Sequence, residues 1–210
     1  MLRQQENACV KFLSAFAITI PLLVWPAQSA SLSKSYSYFN IGGHTMDEIQ
    51  RELDRRGPKL NSTGRRHPGA TLMEFKTSIK YGERGGRCEI VEAVVQVKAK
   101  VILPRWQSRR RSDGDTRLIW DTLSADIKRH EESHVVIAKN HARELEDALK
   151  KAYPQRTCDQ AAAKAKEITN RIMAKHDAEQ ARFDRVEGIN FERRILRLLN
   201  YRIERAASGR

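Results

Sequence analysis

Between Met73 and Tyr81 the side chains alternate: Met73, Phe75, Thr77, Ile79 and Tyr81 against Glu74, Lys76, Ser78 and Lys80. A period of two with one wet face predicts a strand covered on one side. Residues 82–87 (GERGGR) read as a turn. Beyond it Val91, Ala93, Val95, Val97, Ala99, Val101 and Leu103 share one face, and Glu92, Gln96, Lys98 and Lys100 share the other. Two such runs around a glycine-rich loop predict an antiparallel hairpin, which Pro104 is expected to end. Tyr36, Tyr38 and Phe39 offer a third, shorter strand.

The other segments change period. Thr45 opens a short amphipathic helix (TMDEIQREL) with acidic residues in its first turn, closed near Gly57 and Pro58. Residues 59–70 read as loop. A helix capped by Asp115 or Thr116 then runs to about Ala152 without Gly or Pro, with Leu123, Ile127, Ala138, Ala142, Leu145 and Leu149 at helical spacing. A second long helix is expected from about Cys158 to Val186, carrying Ala162, Ala165, Ile168, Ile172, Phe183 and Val186 on one stripe. A third, basic helix from Asn190 to Ala207 would turn Phe191, Ile195, Leu198 and Leu199 inward. The predicted class is α+β: a small antiparallel sheet packed with a helical hairpin and a C-terminal helix.

Composition adds a partner question. The 210 residues carry 39 Lys+Arg against 26 Asp+Glu, a formal charge of +13, which suggests an anionic partner. The N-terminus alters that reading. Arg3 and Lys11 precede a charge-free run, Phe12 to Trp25, followed by the mostly small residues Ala27, Gln28, Ser29 and Ala30. This is the layout of a secretory signal peptide over residues 1–30, and the apolar run is short for a membrane span of ~20 residues. Cleavage after Ser29 is preferred. Export leaves a peptide or protein substrate, an acidic one being favoured by the charge, or an anionic envelope surface as partner, and no nucleic acid is expected. Cys9 departs with the signal. Cys88 and Cys158 remain, and two cysteines in an oxidising periplasmic or extracellular compartment predict one disulfide.

One constellation carries chemistry. His130-Glu131-Glu132-Ser133-His134 matches H-E-x-x-H inside the long helix. Residues i and i+4 lie about 40° apart on a helix, so both imidazoles can reach one ion. Zinc accepts neutral imidazole, and a catalytic zinc keeps a position for water on which Glu131 would act as general base. The alternative is a pair of core histidines satisfied by hydrogen bonds, with Glu131 and Glu132 on the wet side.

The third ligand is less defined. His141 lies seven residues beyond His134, ~10.5 Å along an unbroken helix and too far to share an ion, so it reads as a packed histidine. If the hairpin turns near residue 155, His176 comes level with His134, while Glu179 and Asp184 come nearer to His130. Geometry favours His176 within an error of one turn, and Asp184 stands as the other choice.

These residues also carry a resemblance. Residues 43–48 (GHTMDE), 55–58 (RRGP) and 103–106 (LPRW), together with Trp120, His130 to His134 and Cys158, resemble in order and spacing a bacterial family catalogued as a domain of unknown function and described as predicted secreted zinc-dependent proteases. The resemblance runs over roughly residues 34–187. It implies a zincin-like fold, zinc on His130 and His134, and Glu131 in catalysis. The family's Tyr-Asp-x-x-Thr-x-His-Gly segment is replaced here by Phe183-Asp184-Arg185-Val186-Glu187-Gly188-Ile189-Asn190. Without that histidine, Asp184 or His176 must complete the shell.

The expected organisation is therefore a signal peptide over 1–30, a zinc-peptidase domain over 31–189 and a basic amphipathic tail helix over 190–210. The expected activity is zinc-dependent hydrolysis of peptide bonds. The competing expectation is a non-catalytic metal-binding or anionic-surface-binding envelope protein on the same fold.

Overall fold

The computed structural model describes residues 30–59 and 64–209. The expected signal peptide lies outside the described residues. Three strands and three helices follow in the order β1 (Ser31–Ile41), α1 (Met46–Arg56), β2 (Ala70–Arg84), β3 (Arg87–Trp106), α2 (Gly114–Lys150) and α3 (Cys158–Ala207), with one turn of 3-10 helix at Arg109–Arg111. No described helix is long and apolar enough to cross a membrane.

The β2–β3 hairpin forms as its alternation predicts. Gly85 and Gly86 both take positive φ, 58° and 70°, the conformation a two-residue hairpin turn with right-handed strand twist requires. Val95, Val97 and Val101 are fully buried, whereas Lys98 and Lys100 on the opposite face are exposed. Val91 departs from its expected inward place. The register slips between Lys80 and Tyr81, so Val91 is the unpaired residue of a bulge and is exposed.

The sheet itself is a correction. Its order is β1-β3-β2, and β1 runs parallel to β3 over Ser31–Ile41, so the sheet is mixed rather than antiparallel. Pro104 does not stop β3 either. Strand β2 begins at Ala70, opposite Ile102, so beyond that point β3 has a neighbour on one side only. A residue without an N–H is tolerated on such an open side. At its other end β3 extends past the start of β1, which begins opposite Gln96. There the buried Glu146 of α2 accepts the Val95 N–H at 2.9 Å, supplying the acceptor that a strand would otherwise provide.

Helices α2 and α3 form an antiparallel hairpin laid on one face of the sheet. Ala93, Val95 and Val97 pack with Ala138, Ala142, Leu145 and Leu149 of α2 and Ala165, Ile168 and Ile172 of α3. Asp113, rather than Asp115 or Thr116, caps α2 through the Thr116 N–H. Thr45 caps α1 in a capping box with Glu48. A Cys88–Cys158 disulfide ties the start of β3 to the start of α3. A two-way backbone pairing of Cys88 with Gln155 reinforces it.

The separate tail helix is a second correction. Helix α3 is continuous for 50 residues, through the expected break between Val186 and Asn190. Neither Gly188 nor its neighbours interrupt the ladder, because an isolated helical glycine costs only ~1 kcal/mol. α3 is therefore long enough, at ~75 Å, to lie along the whole of the ~55 Å α2. Its buried residues stop at His176, and Ile195, Leu198 and Leu199 are half-buried.

Candidate metal centre

The H-E-x-x-H residues sit mid-way along α2, on the turns that face both α3 and the start of β2. His134 Nε2 lies 3.1 Å from His130 Nε2 and 3.1 Å from Asp184 Oδ1. His130 Nε2 lies 3.4 Å from the same oxygen. A tetrahedral ion with metal–ligand bonds of 2.0–2.2 Å has ligand–ligand edges of roughly 3.3 Å. The three donor atoms thus already form a triangle of the right size, and no other group of three His, Cys, Asp or Glu side chains among the described residues meets this test. Two imidazoles and a carboxylate suit zinc or a related divalent transition ion.

Asp184 is the third donor in this group; His176 is not. The segment 151–157 crosses toward β3 before α3 begins, so α3 is displaced along α2 relative to a turn at residue 155. His134 comes level with Gln180 and Asp184, and His176 comes level with His141, their rings 5.7 Å apart. His176 is buried edge-on to Phe75 at 5.0 Å. His141 is also buried, with its Nε2 2.9 Å from Glu179 Oε2.

Several residues that sequence reasoning did not assign to the site shape it. Phe183 stacks on His130 at 5.0 Å between ring centroids and presents its edge to His134 at 5.1 Å, walling one side. Glu187, joined to Arg129 and Arg194, lies 3.7 Å from His130 Nδ1. Gln180 Oε1 lies 2.6 Å from His134 Nδ1. Phe183, at least, was marked by its helical stripe. The others are polar residues on a mostly polar helix, and only their tertiary neighbours distinguish them.

Glu131 is 6% exposed, so it is not on a wet face. Thr71 Oγ1 lies 2.8 Å from its Oε2 and 3.0 Å from its backbone oxygen, sharing one proton between them. Gly69 packs against its other carboxylate oxygen so closely that a Cβ there would sit 2.8 Å from Oε1. The neighbouring Glu132 points the other way, accepting from Tyr36 and Lys34 of β1. Adjacent glutamates on one turn are thus divided between an enclosed carboxylate and an exposed ion pair.

Electrostatics follow from this burial. Desolvation pushes the Glu131 carboxyl above its ordinary value against the opposing Thr71 hydrogen bond and nearby histidines. Burial works against the Asp184 carboxylate too, but hydrogen bonds and attraction to His130 and His134 prevail and hold it far below the usual range. Burial likewise opposes the charged form of His134, and the Asp184 and Gln180 hydrogen bonds overcome it, raising its pKa.

Fold and site together define an α+β protein with a helical hairpin that converges two histidines and an aspartate beside a buried glutamate. The chain belongs to a family described as bacterial proteins of unknown function (DUF922), whose model matches residues 36–192. That span includes all four of these residues. No curated protein and no solved structure matches the chain.

Proposed function

We propose that this protein is an exported zinc-dependent metallopeptidase of zincin-like type. The observation that carries the reading is the His130, His134 and Asp184 triangle, with edges of 3.1–3.4 Å, built beside the enclosed Glu131. His130 and His134 would hold zinc through Nε2, and Asp184 through Oδ1. Zinc at this position supplies Lewis acidity toward a peptide carbonyl and acidifies water.

Glu131 takes a proton from the attacking water and delivers it to the leaving amine nitrogen. Its buried carboxyl, raised above the ordinary glutamate value, is suited to hold that proton between the two steps. Thr71 and Gly69 restrict the carboxylate to one position, which proton transfer over a fixed distance requires. Phe183 excludes water from the face of His130. The Cys88–Cys158 disulfide and the layout of residues 1–30 support export to the periplasm or beyond. The basic surface favours acidic peptide substrates or an anionic envelope.

Metal analysis and peptide hydrolysis on the exported form test the reading. Near-stoichiometric zinc is expected, lost in His134→Ala and retained in Glu131→Gln, with hydrolysis of a denatured protein substrate lost in both. Zinc retained in His134→Ala, or a wild-type protein that takes up no zinc, overturns it.

A further inference from the structure

The atoms behind His134 fix the proton on its Nδ1, whether or not Nε2 also carries one toward Asp184. Gln180 Nε2 lies 3.2 Å from the backbone oxygen of His134. A carbonyl oxygen only accepts, so the Gln180 atom facing it is the NH2 group. The other end of the amide, Oε1, is then the atom 2.6 Å from His134 Nδ1. An amide oxygen also only accepts, so His134 Nδ1 carries the proton. In a neutral ring the lone pair then falls on Nε2, the atom that lies 3.1 Å from both His130 Nε2 and Asp184 Oδ1.

A second histidine holds the amide in that orientation. The same NH2 group lies 2.9 Å from His176 Nε2 and donates to it. His176 Nδ1, 2.9 Å from the acceptor Asp177 Oδ1, bears the proton of that ring. Rotating the Gln180 amide by half a turn would set its oxygen against two acceptors, the His134 carbonyl and His176 Nε2. Both contacts are repulsive.

We infer that Gln180 is a positioning residue, held by the buried His176, that fixes His134 in the tautomer whose Nε2 is free to bind a metal ion. Asp177, His176, Gln180 and His134 form a one-way chain of hydrogen bonds from an exposed carboxylate to the metal centre. His176, which sequence spacing favours as a ligand, acts here two hydrogen bonds away from it. The inference rests on the proposed metal site for its consequence and on the hydrogen-bond geometry for its content. Partners of this kind on a ligating histidine change metal affinity by about 10–100-fold when removed.

Two measurements on the exported form of the chain test this. The first uses 15N-labelled, metal-free protein at alkaline pH, where the imidazoles are neutral. Two-bond proton–nitrogen correlations should show His134 protonated on Nδ1 in the wild type and mainly on Nε2 in Gln180→Leu. A wild-type His134 protonated on Nε2 overturns the inference. The second is zinc affinity by chelator competition. Gln180→Leu should bind about 10–100-fold more weakly. His176→Phe should weaken binding in the wild-type background and add nothing in Gln180→Leu. Unchanged affinity in Gln180→Leu removes the positioning role and leaves the metal site standing. A wild type that takes up no zinc removes the metal site, and the tautomer measurement then decides the hydrogen-bond chain alone.

Discussion

Arg194 forks onto Asp126 across the helical hairpin, with Nε 2.9 Å from Oδ1 and Nη2 3.0 Å from Oδ2. The two residues are 68 positions apart, and their side chains are 12% and 3% exposed. Arg129 joins the same carboxylate at 2.9 Å and carries the network on to Glu187, beside His130. The far half of α3 is thus fastened to α2 one turn before His130.

Removing Asp126 strips the buried Arg194 of its two-pronged partner and leaves it only the longer contact to Glu187 at 3.3 Å. Asp126→Ala is expected to cost about 3–5 kcal/mol, since breaking a buried pair exposes the survivor to full desolvation. Replacing both Asp126 and Arg194 by leucine should recover much of that loss. Urea unfolding of the single and double variants measures it, and equal losses in the two would show that the pairing contributes nothing of its own.

The Cys88–Cys158 disulfide closes a loop of 70 residues. In the chain-entropy model such a loop is worth roughly 3–5 kcal/mol. Reductant, or Cys158→Ser, should lower the thermal midpoint by many degrees, and a thiol titre of the unfolded, unreduced chain lacking Cys9 should be near zero. A titre near two excludes the bridge.

Gly69→Ala should affect activity more than folding. The added methyl would fall 2.8 Å from Glu131 Oε1 and 2.9 Å from Ile127 Cγ2. Crowding of this kind costs about 1–3 kcal/mol. Because Glu131 is displaced and the histidines are not, zinc content should persist while peptide hydrolysis drops at least tenfold, a loss of about 1.4 kcal/mol in transition-state binding. Parallel loss of zinc and of folded protein would instead mark the site as structural.

The response to pH should reverse with metal. In the metal-free protein the raised pKa of His134 contributes stability that is complete below its ordinary value of 6.5 and disappears as pH rises through the folded value. The lowered pKa of Asp184 contributes stability present above its ordinary 3.8 and lost only in strong acid. Metal-free protein should therefore melt highest between about pH 4 and 6.5, and lower in mild alkali. With zinc the midpoint should rise from pH 6 to about 8, because the ion requires deprotonated imidazoles. Thermal scans with chelator and with zinc give the two slopes, and identical slopes contradict the site.

Local chemistry made much of the chain readable. The hairpin follows from strict alternation about two adjacent glycines, and α1 from a threonine and a glutamate at capping-box spacing. The H-E-x-x-H pair shares a helix face for purely geometric reasons, whatever surrounds it. Val91 was misread because a bulge shifts period-two alternation, and alternation alone does not show where an extra residue falls. The join of the last two helices was missed because one glycine is a weak breaker when a partner helix runs alongside.

The sequence by itself determined most of the elements, the disulfide pair and the two histidines of the candidate site, because each rests on residues at short spacing or on a pair without competitors. Tertiary structure decided the direction of β1, whose alternation is the same for parallel and antiparallel pairing. It also decided which acidic or histidine side chain joins the two histidines in the candidate site. Asp184 and His176 differ by eight residues of one helix, and the choice between them depends on where α3 starts relative to α2. The crossing segment at 151–157, tied to Cys88 through Gln155 and followed by Cys158, sets that offset and brings Asp184 to His134.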